Sequence, residues 1–385
     1  MKTCACLLNT TELGGAERSF ITQLGILNSP EKFDIYFPKI EGLKASEETL
    51  SFVKSNGLDQ PKGFKYNSDL YKTSRSSKKV NLINVLLGML EQVLTYKVEG
   101  FLKYKNIWCN GNKVFIPLFL SAIVFGYEGR ILWHLRDYPE VGRLNKLIKF
   151  LYRYFAKFNL VLIGNSDSTV SAFKDIFTDI KALRIYNPVI NENKISPKDS
   201  IKVLGFAGMS VPWKGLHELY LWASLYEKEL KDLGVEKILV FGKNIYHTKG
   251  EHSDYEAQLN RLKKLFKSSL IEHKGLVSPQ EIYSSIDLML HLSNRAEPFG
   301  RVILESFSQS IPCISTGLGG AGELMTNNTG LLHFNNDYDG LYQKVRLLIE
   351  DASFKNKEVQ AGYKTYQFIQ ESAESDLFKL ESLYF

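Results

Sequence analysis

Short apolar runs, each followed by turn residues and then by helical periodicity, recur along this chain of 385 residues, and the pattern restarts at Lys202. That alternation argues for α/β architecture, because neighbouring parallel strands need a crossover long enough to hold a helix. Strands are expected at residues 3–9, 33–37, 106–109, 130–134 and 160–163, then at 202–207, 237–242, 272–275, 287–292 and 311–316. Helices are expected near 114–124, 141–158, 216–230 and 279–285, with a final one over roughly 363–385. Residues 41–79 read as a polar surface loop. The polar stretch 191–198 reads as a linker between two domains, 1–192 with the tail 364–385, and 193–363.

Composition narrows the class. A hydrophobic content of 44% is ample for buried cores, and a charged fraction of 23% excludes a disordered chain. Cys4, Cys6, Cys109 and Cys313 show neither zinc nor disulfide spacing, which points to a reducing compartment. The first residues do not make a secretory signal, and no apolar run reaches the ~18 residues of a membrane span. A cytoplasmic location is expected. The net charge of +6 permits anionic partners without naming one; no nucleic-acid partner is expected.

The chemically richest stretch is residues 293–323. Glu297 and Glu305 bracket a Pro-Phe-Gly turn that leads into an apolar run. Pro298 suits the first position of a helix, where no N–H is needed. Gly300 lets backbone approach a ligand. The first amides of that helix would form an anion site, since unpaired N–H groups and the positive dipole end coincide there. A carboxylate on each side calls for hydroxyls as well, so a phosphate-bearing sugar such as a sugar nucleotide fits.

Other features sit where α/β folds place ligands. The pair Gly14-Gly15 lies between the first strand and the first helix, as either a phosphate turn or a plain tight turn. His134, Arg136 and Asp137 fall at the carboxyl end of a strand. Lys214 stands at a helix start, within reach of a phosphate. In residues 141–158, Arg143, Lys146, Lys149, Arg153 and Lys157 lie within about 120° of one another. Leu147, Leu151, Tyr154, Phe155 and Phe158 lie opposite. Two readings stand: a helix packed on the sheet with a solvated basic face, or a helix that touches anionic lipid.

Three tempting motifs carry little. Gly317 to Gly322 matches G-x-G-x-x-G, but a dinucleotide fingerprint should open its domain, and this one comes late. Asp337-Tyr338-Asp339 has a metal-binding form but lies in an Asn-rich turn. A glycosidase pair of Glu297 and Glu305 would leave the helix amides between them without an anion.

Residues 297–305 read Glu-Pro-Phe-Gly-Arg-Val-Ile-Leu-Glu, an E-x7-E motif; Gly319-Gly320-Ala321-Gly322-Glu323, Gly14-Gly15-Ala16-Glu17 and Asn165-Ser166 accompany it. With these the chain resembles the retaining glycosyltransferases of family 4. The resemblance implies the GT-B architecture: two Rossmann-like domains facing a cleft, with the C-terminal helix crossing back to the N-terminal domain. It implies that Glu297 binds donor-sugar hydroxyls, that Glu305 binds the ribose, and that amides at Phe299, Gly300, Arg301 and Gly15 hold the diphosphate. It also implies that Lys214 stabilises the leaving phosphate, that His134 contacts the donor sugar, and that no metal is required. One position departs from the family: Met209 stands where an arginine is usual after Gly208. Arg295 or Arg301 is the candidate replacement.

The expected activity is therefore transfer of a sugar, with retention, from a nucleoside-diphosphate sugar to a glycan or lipid-linked acceptor. The donor side is the second domain and the acceptor side the first, with peripheral contact to the inner face of a membrane through 143–158. Two rivals remain: a nucleotide-sugar epimerase on the same fold, and a catalytically silent sugar-nucleotide-binding protein.

Overall fold

The computed structural model describes residues 3–40, 46–73, 82–139, 143–190, 198–242 and 251–385. Two compact units are present, Met1–Pro188 joined by Gln370–Phe385, and Val189–Ile369.

In chain order the first unit carries β1 (Cys4–Leu7), α1 (Gly15–Ile26), β2 (Phe33–Lys39), α2 (Glu47–Ser55), β3 (Lys62–Lys65), α3 (Ser68–Thr73) and α4 (Leu82–Val98). It continues with β4 (Asn106–Asn110), α5 (Asn112–Val124), β5 (Arg130–Leu135), α6 (Arg143–Phe155), β6 (Asn159–Gly164), α7 (Asp167–Lys174) and β7 (Lys181–Arg184). The strands form one parallel sheet in the order β3-β2-β1-β4-β5-β6-β7. Strand pleating sends alternate side chains to opposite faces. Cys4 and Cys6 therefore join one buried cluster, with Phe20 of α1 and Leu377 from the C-terminus. Ala5 and Leu7 join the other, with Tyr96 of α4, Phe115 of α5 and Ile148 of α6.

The second unit holds β8 (Val203–Ala207), α8 (Leu216–Leu225), α9 (Glu227–Asp232), β9 (Lys237–Phe241), α10 (Glu251–Leu265), β10 (Ile271–Gly275), α11 (Pro279–Ser285) and β11 (Leu288–His291). Then come α12 (Arg301–Ser308), β12 (Cys313–Ser315), α13 (Gly320–Leu324), α14 (Tyr338–Glu350) and the start of α15 (Ala352–Tyr384). Its parallel sheet runs β10-β9-β8-β11-β12. In each sheet the winding reverses at the first strand, between β1 and β4 and between β8 and β11. Open parallel sheets bind ligands outside the carboxyl ends of the strands at such a switch point.

Several expectations need correction. Residues 41–79 do not form a surface loop: α2, β3 and α3 lie there, and Val53, Phe64 and Tyr71 are buried. Their apolar residues are too sparse to show a period. The basic, serine-rich run lies largely outside the described residues, as does most of the 191–198 linker. The helix expected over 216–230 breaks at Tyr226 into α8 and α9. The final helix starts at Ala352 rather than near 363, so that one helix of 33 residues serves both units.

Helix α6 packs on the first sheet, as one of the two readings had it, but through a narrow side only. Ile148 is its buried anchor, with Leu151 and Tyr152 partly covered. Leu147, Phe150, Tyr154 and Phe155 are all at least half exposed, beside exposed Lys146 and Arg153.

Candidate functional site

The second unit builds its site on the carboxyl ends of β8 and β11. After β11, residues 292–300 cross to α12. The backbone of Glu297 is pinned to the glycine turn before α13: its N–H donates to Leu318 O at 3.0 Å, and Gly320 N–H donates to its carbonyl at 2.8 Å. Pro298 is not the first helical residue. Gly300 is the N-cap, in the left-handed region with φ 88°, and α12 begins at Arg301. A side chain at Gly300 would be strained in backbone, and its Cβ would come within 3.1 Å of Ala321 Cβ. The bend at Gly300 leads into the first turn of α12, and the first N–H groups of any helix have no partner within it.

The buried carboxylate of Glu297 gathers three donors on one oxygen. Lys214 Nζ and Ser293 Oγ hydrogen-bond Oε1, and His291 Nε2 lies 3.1 Å from it. The other His291 nitrogen is 2.9 Å from Ser315 Oγ on β12. Burial pushes the Glu297 carboxyl up, but His291 and Lys214 outweigh this and hold it well below the usual carboxylate range. Lys214 arrives on a tight turn, Pro212–Lys214, closed by Gly215 at φ 78°; a Cβ on Gly215 would run into Leu292 O. Asn294 N–H donates to Trp213 O at 2.9 Å, tying that turn to the Glu297 loop.

Glu305 sits one turn into α12, also buried. Arg301 Nε donates to its Oε1 at 2.5 Å and the Tyr283 hydroxyl to its Oε2 at 2.7 Å. Burial, and then the Glu305 charge, push the Tyr283 phenol far above its ordinary value, so it acts as a donor. Phe299 is buried under the turn, whereas Arg295 is exposed in the loop. Asp337 is a helix cap: its side chain accepts from Gly340 N at 2.9 Å at the start of α14.

In the first unit, Gly14 is the N-cap of α1 and Gly15 its first residue, both exposed. Behind them lies a buried polar group. His134, the next to last residue of β5, is fully buried, stacked on Trp108 at 6.0 Å and edge-on to Phe20. Burial and the nearby Arg136 push its pKa down, so the ring is neutral. Its Nδ1 lies 3.4 Å from Arg136, and its Nε2 has no hydrogen-bond partner among the described residues. The ring is thus enclosed between Trp108, Phe20 and Arg136.

Arg136 lies just past β5 and is clamped from three elements. It donates to Asn110 Oδ1 at 2.6 Å, to Asn187 Oδ1 at 2.8 Å and to Gln23 Oε1 at 3.5 Å. Asn110 in turn donates to Glu17 Oε1 at 3.4 Å. Burial lifts the Glu17 carboxyl to about 7, against the pull of Arg136. The sequence reading missed Asn110, Gln23 and Asn187, and likewise His291 and Ser293. The only signal was position, since Asn110 and His291 end strands at the switch points.

Residues 190–367 match the family model of glycosyl transferases group 1. Over 241 residues the chain is 24% identical to the capsular polysaccharide biosynthesis glycosyltransferase CapM of Staphylococcus aureus, covering 61% of this chain and 58% of CapM. It is 33% identical over 107 residues to N-acetyl-alpha-D-glucosaminyl L-malate synthase of Bacillus anthracis, covering 27% of each. Both matches thus span less than two thirds of the relatives' own lengths. In structure the chain is similar to Anabaena HepE, solved with UDP and glucose, at a TM-score of 0.73 and 19% identity over 100% of this chain and 99% of HepE. The chain has the GT-B fold. Within that fold the group 1 match falls on the unit that carries Lys214, Glu297 and Glu305.

Proposed function

We propose that this protein is a retaining glycosyltransferase. It moves a sugar from a nucleoside-diphosphate sugar to a glycan or lipid-linked acceptor, in surface polysaccharide or glycoconjugate synthesis. The observation that carries the reading is the pair of buried carboxylates flanking the first turn of α12, one of them held on Lys214. The group 1 match and the UDP-bound HepE support the donor class, and the name of CapM supports the setting.

On this reading the second unit takes the donor. Amides at Phe299, Gly300 and Arg301 receive the diphosphate. Glu297 orients donor-sugar hydroxyls, and Glu305, steadied by Arg301 and Tyr283, takes the ribose. Lys214 faces the leaving phosphate, and this is the electrostatic contribution that dominates such catalysis. Arg295 supplies the cation that Met209 does not. The bond between the anomeric carbon and the phosphate oxygen breaks as the acceptor oxygen bonds to the same face. The acceptor's proton passes to the departing phosphate. No step calls for a metal ion.

The first unit takes the acceptor, and His134 acts by holding Arg136 at the sheet edge. Helix α6 lies against an anionic membrane surface at the inner face, with Lys146 and Arg153 toward headgroups. The test is product analysis: purified protein with a donor panel, followed by NMR of the anomeric centre. Transfer or slow hydrolysis with the donor's configuration kept, and lost in Glu297→Ala, supports the reading. An inverted product, or an epimerised donor without transfer, overturns it.

A further inference from the structure

We infer that α4 is a membrane-insertion element, which with α6 makes one face of the first unit a docking surface for an anionic bilayer. Helix α4 is fixed by its inner side. Tyr96 and Val93 are buried against the core, Tyr96 OH donates to Val114 O at 3.2 Å, and Ser121 of α5 donates to Val93 O at 2.8 Å. Its outer side is apolar and bare. Leu86, Leu87, Leu90, Leu94 and Val98 are 56–83% exposed. At 100° per residue they fall within about 120° of one another, a continuous stripe along the helix. Scattered exposed leucines need no explanation, but a contiguous apolar patch marks a surface that another phase or molecule covers.

Charge decides which. Helices α4, α5 and α6 pack on the same face of the sheet. The exposed apolar side chains of α6 lie beside Lys146 and Arg153, and α6 contains no acidic residue. The one charge within the α4 stripe is Lys97, while Glu91 lies outside it, paired to Lys65 at 2.7 Å. A second copy of this chain would bring cations against cations across a two-fold axis. An anionic bilayer complements both features. No helix among the described residues is long and apolar enough to cross a membrane, so α4 lies in the interfacial plane with its apolar side down. This deepens the bilayer contact proposed for α6 and does not depend on the donor assignment.

The test is flotation of the full-length protein with phosphatidylcholine vesicles, with and without phosphatidylglycerol, at low and high salt. Binding is expected only with phosphatidylglycerol, and weaker at high salt. The triple variant Leu86→Ser, Leu90→Ser, Leu94→Ser should lose about tenfold or more of that binding while keeping the wild-type thermal shift on adding a nucleotide sugar. Lys146→Glu with Arg153→Glu should remove the salt dependence. As a check that needs no polar substitution, Leu90→Trp should be quenched by brominated lipid in vesicles. A triple variant that floats like wild type, an unquenched Leu90→Trp, or a dimer that the triple variant dissolves would each overturn the inference. Loss of donor response in wild type with vesicle binding intact would strike the glycosyltransferase reading alone.

Discussion

At the scale of single residues the site depends on how Glu297 is held. A carboxylate this buried persists as an anion because Lys214, Ser293 and His291 converge on one oxygen. Removing Lys214 leaves a buried charge short of a partner. Lys214→Met should therefore cost about 1–3 kcal/mol of stability, and transfer should fall by about 10²-fold or more, measured as initial rates. The pH sign follows from the depressed carboxyl. Its contribution is whole above the ordinary value of 4.5 and is lost as pH falls from there toward the folded value. Glu297→Gln should flatten the acid limb of stability in denaturant melts.

Glu17 has the opposite sign. Its folded carboxyl is lifted from 4.5 to about 7, so burying it costs nothing in acid, and the cost grows between those values. At pH 8 that cost is about 3 kcal/mol. Glu17→Gln should therefore stabilise the protein at pH 8 and leave it unchanged at pH 4. Equal effects at both pH values would contradict the assignment.

At the scale of elements, the loop from β11 to α12 turns on Gly300. Gly300→Ala puts a side chain at φ 88°, with its Cβ 3.0 Å from Ile303 Cδ1. The expected cost is about 1–2 kcal/mol, with weaker nucleotide-sugar binding by calorimetry because the first turn of α12 must tilt. How much was legible varied with the physics. Strands such as β6 and β11 read clearly because they are buried on both faces and so are continuously apolar. The turns before Lys214 and before α12 could be placed because glycine and proline punctuate them. Residues 47–73 could not, since α2 and β3 each bury only a few side chains. The full burial of His134 was not legible, because position at a strand end does not say whether a ring points toward solvent or back under Arg136. Helix α6 showed its two faces in sequence, but not that the core takes only Ile148 and its neighbours.

At the scale of the molecule, α15 runs from the second unit into the first. Its last turns are structural in the first unit. Leu377 and Leu380 are buried in that unit's core, Asn106 donates to Tyr384 O at 2.9 Å, and Arg184 pairs with Asp376 at 2.9 Å. Removing residues 370–385 should lower the melting temperature of the first unit and leave the second to bind nucleotide sugar. Both are measurable by calorimetry. Whether the second unit holds a nucleoside-diphosphate sugar between its two carboxylates, as proposed, is tested by a thermal-shift panel of UDP-, GDP- and ADP-sugars. At least one should raise the melting temperature in wild type and fail to do so in Glu297→Ala and Glu305→Ala. No shift from any of them at millimolar concentration, or an undiminished shift in both variants, would contradict it.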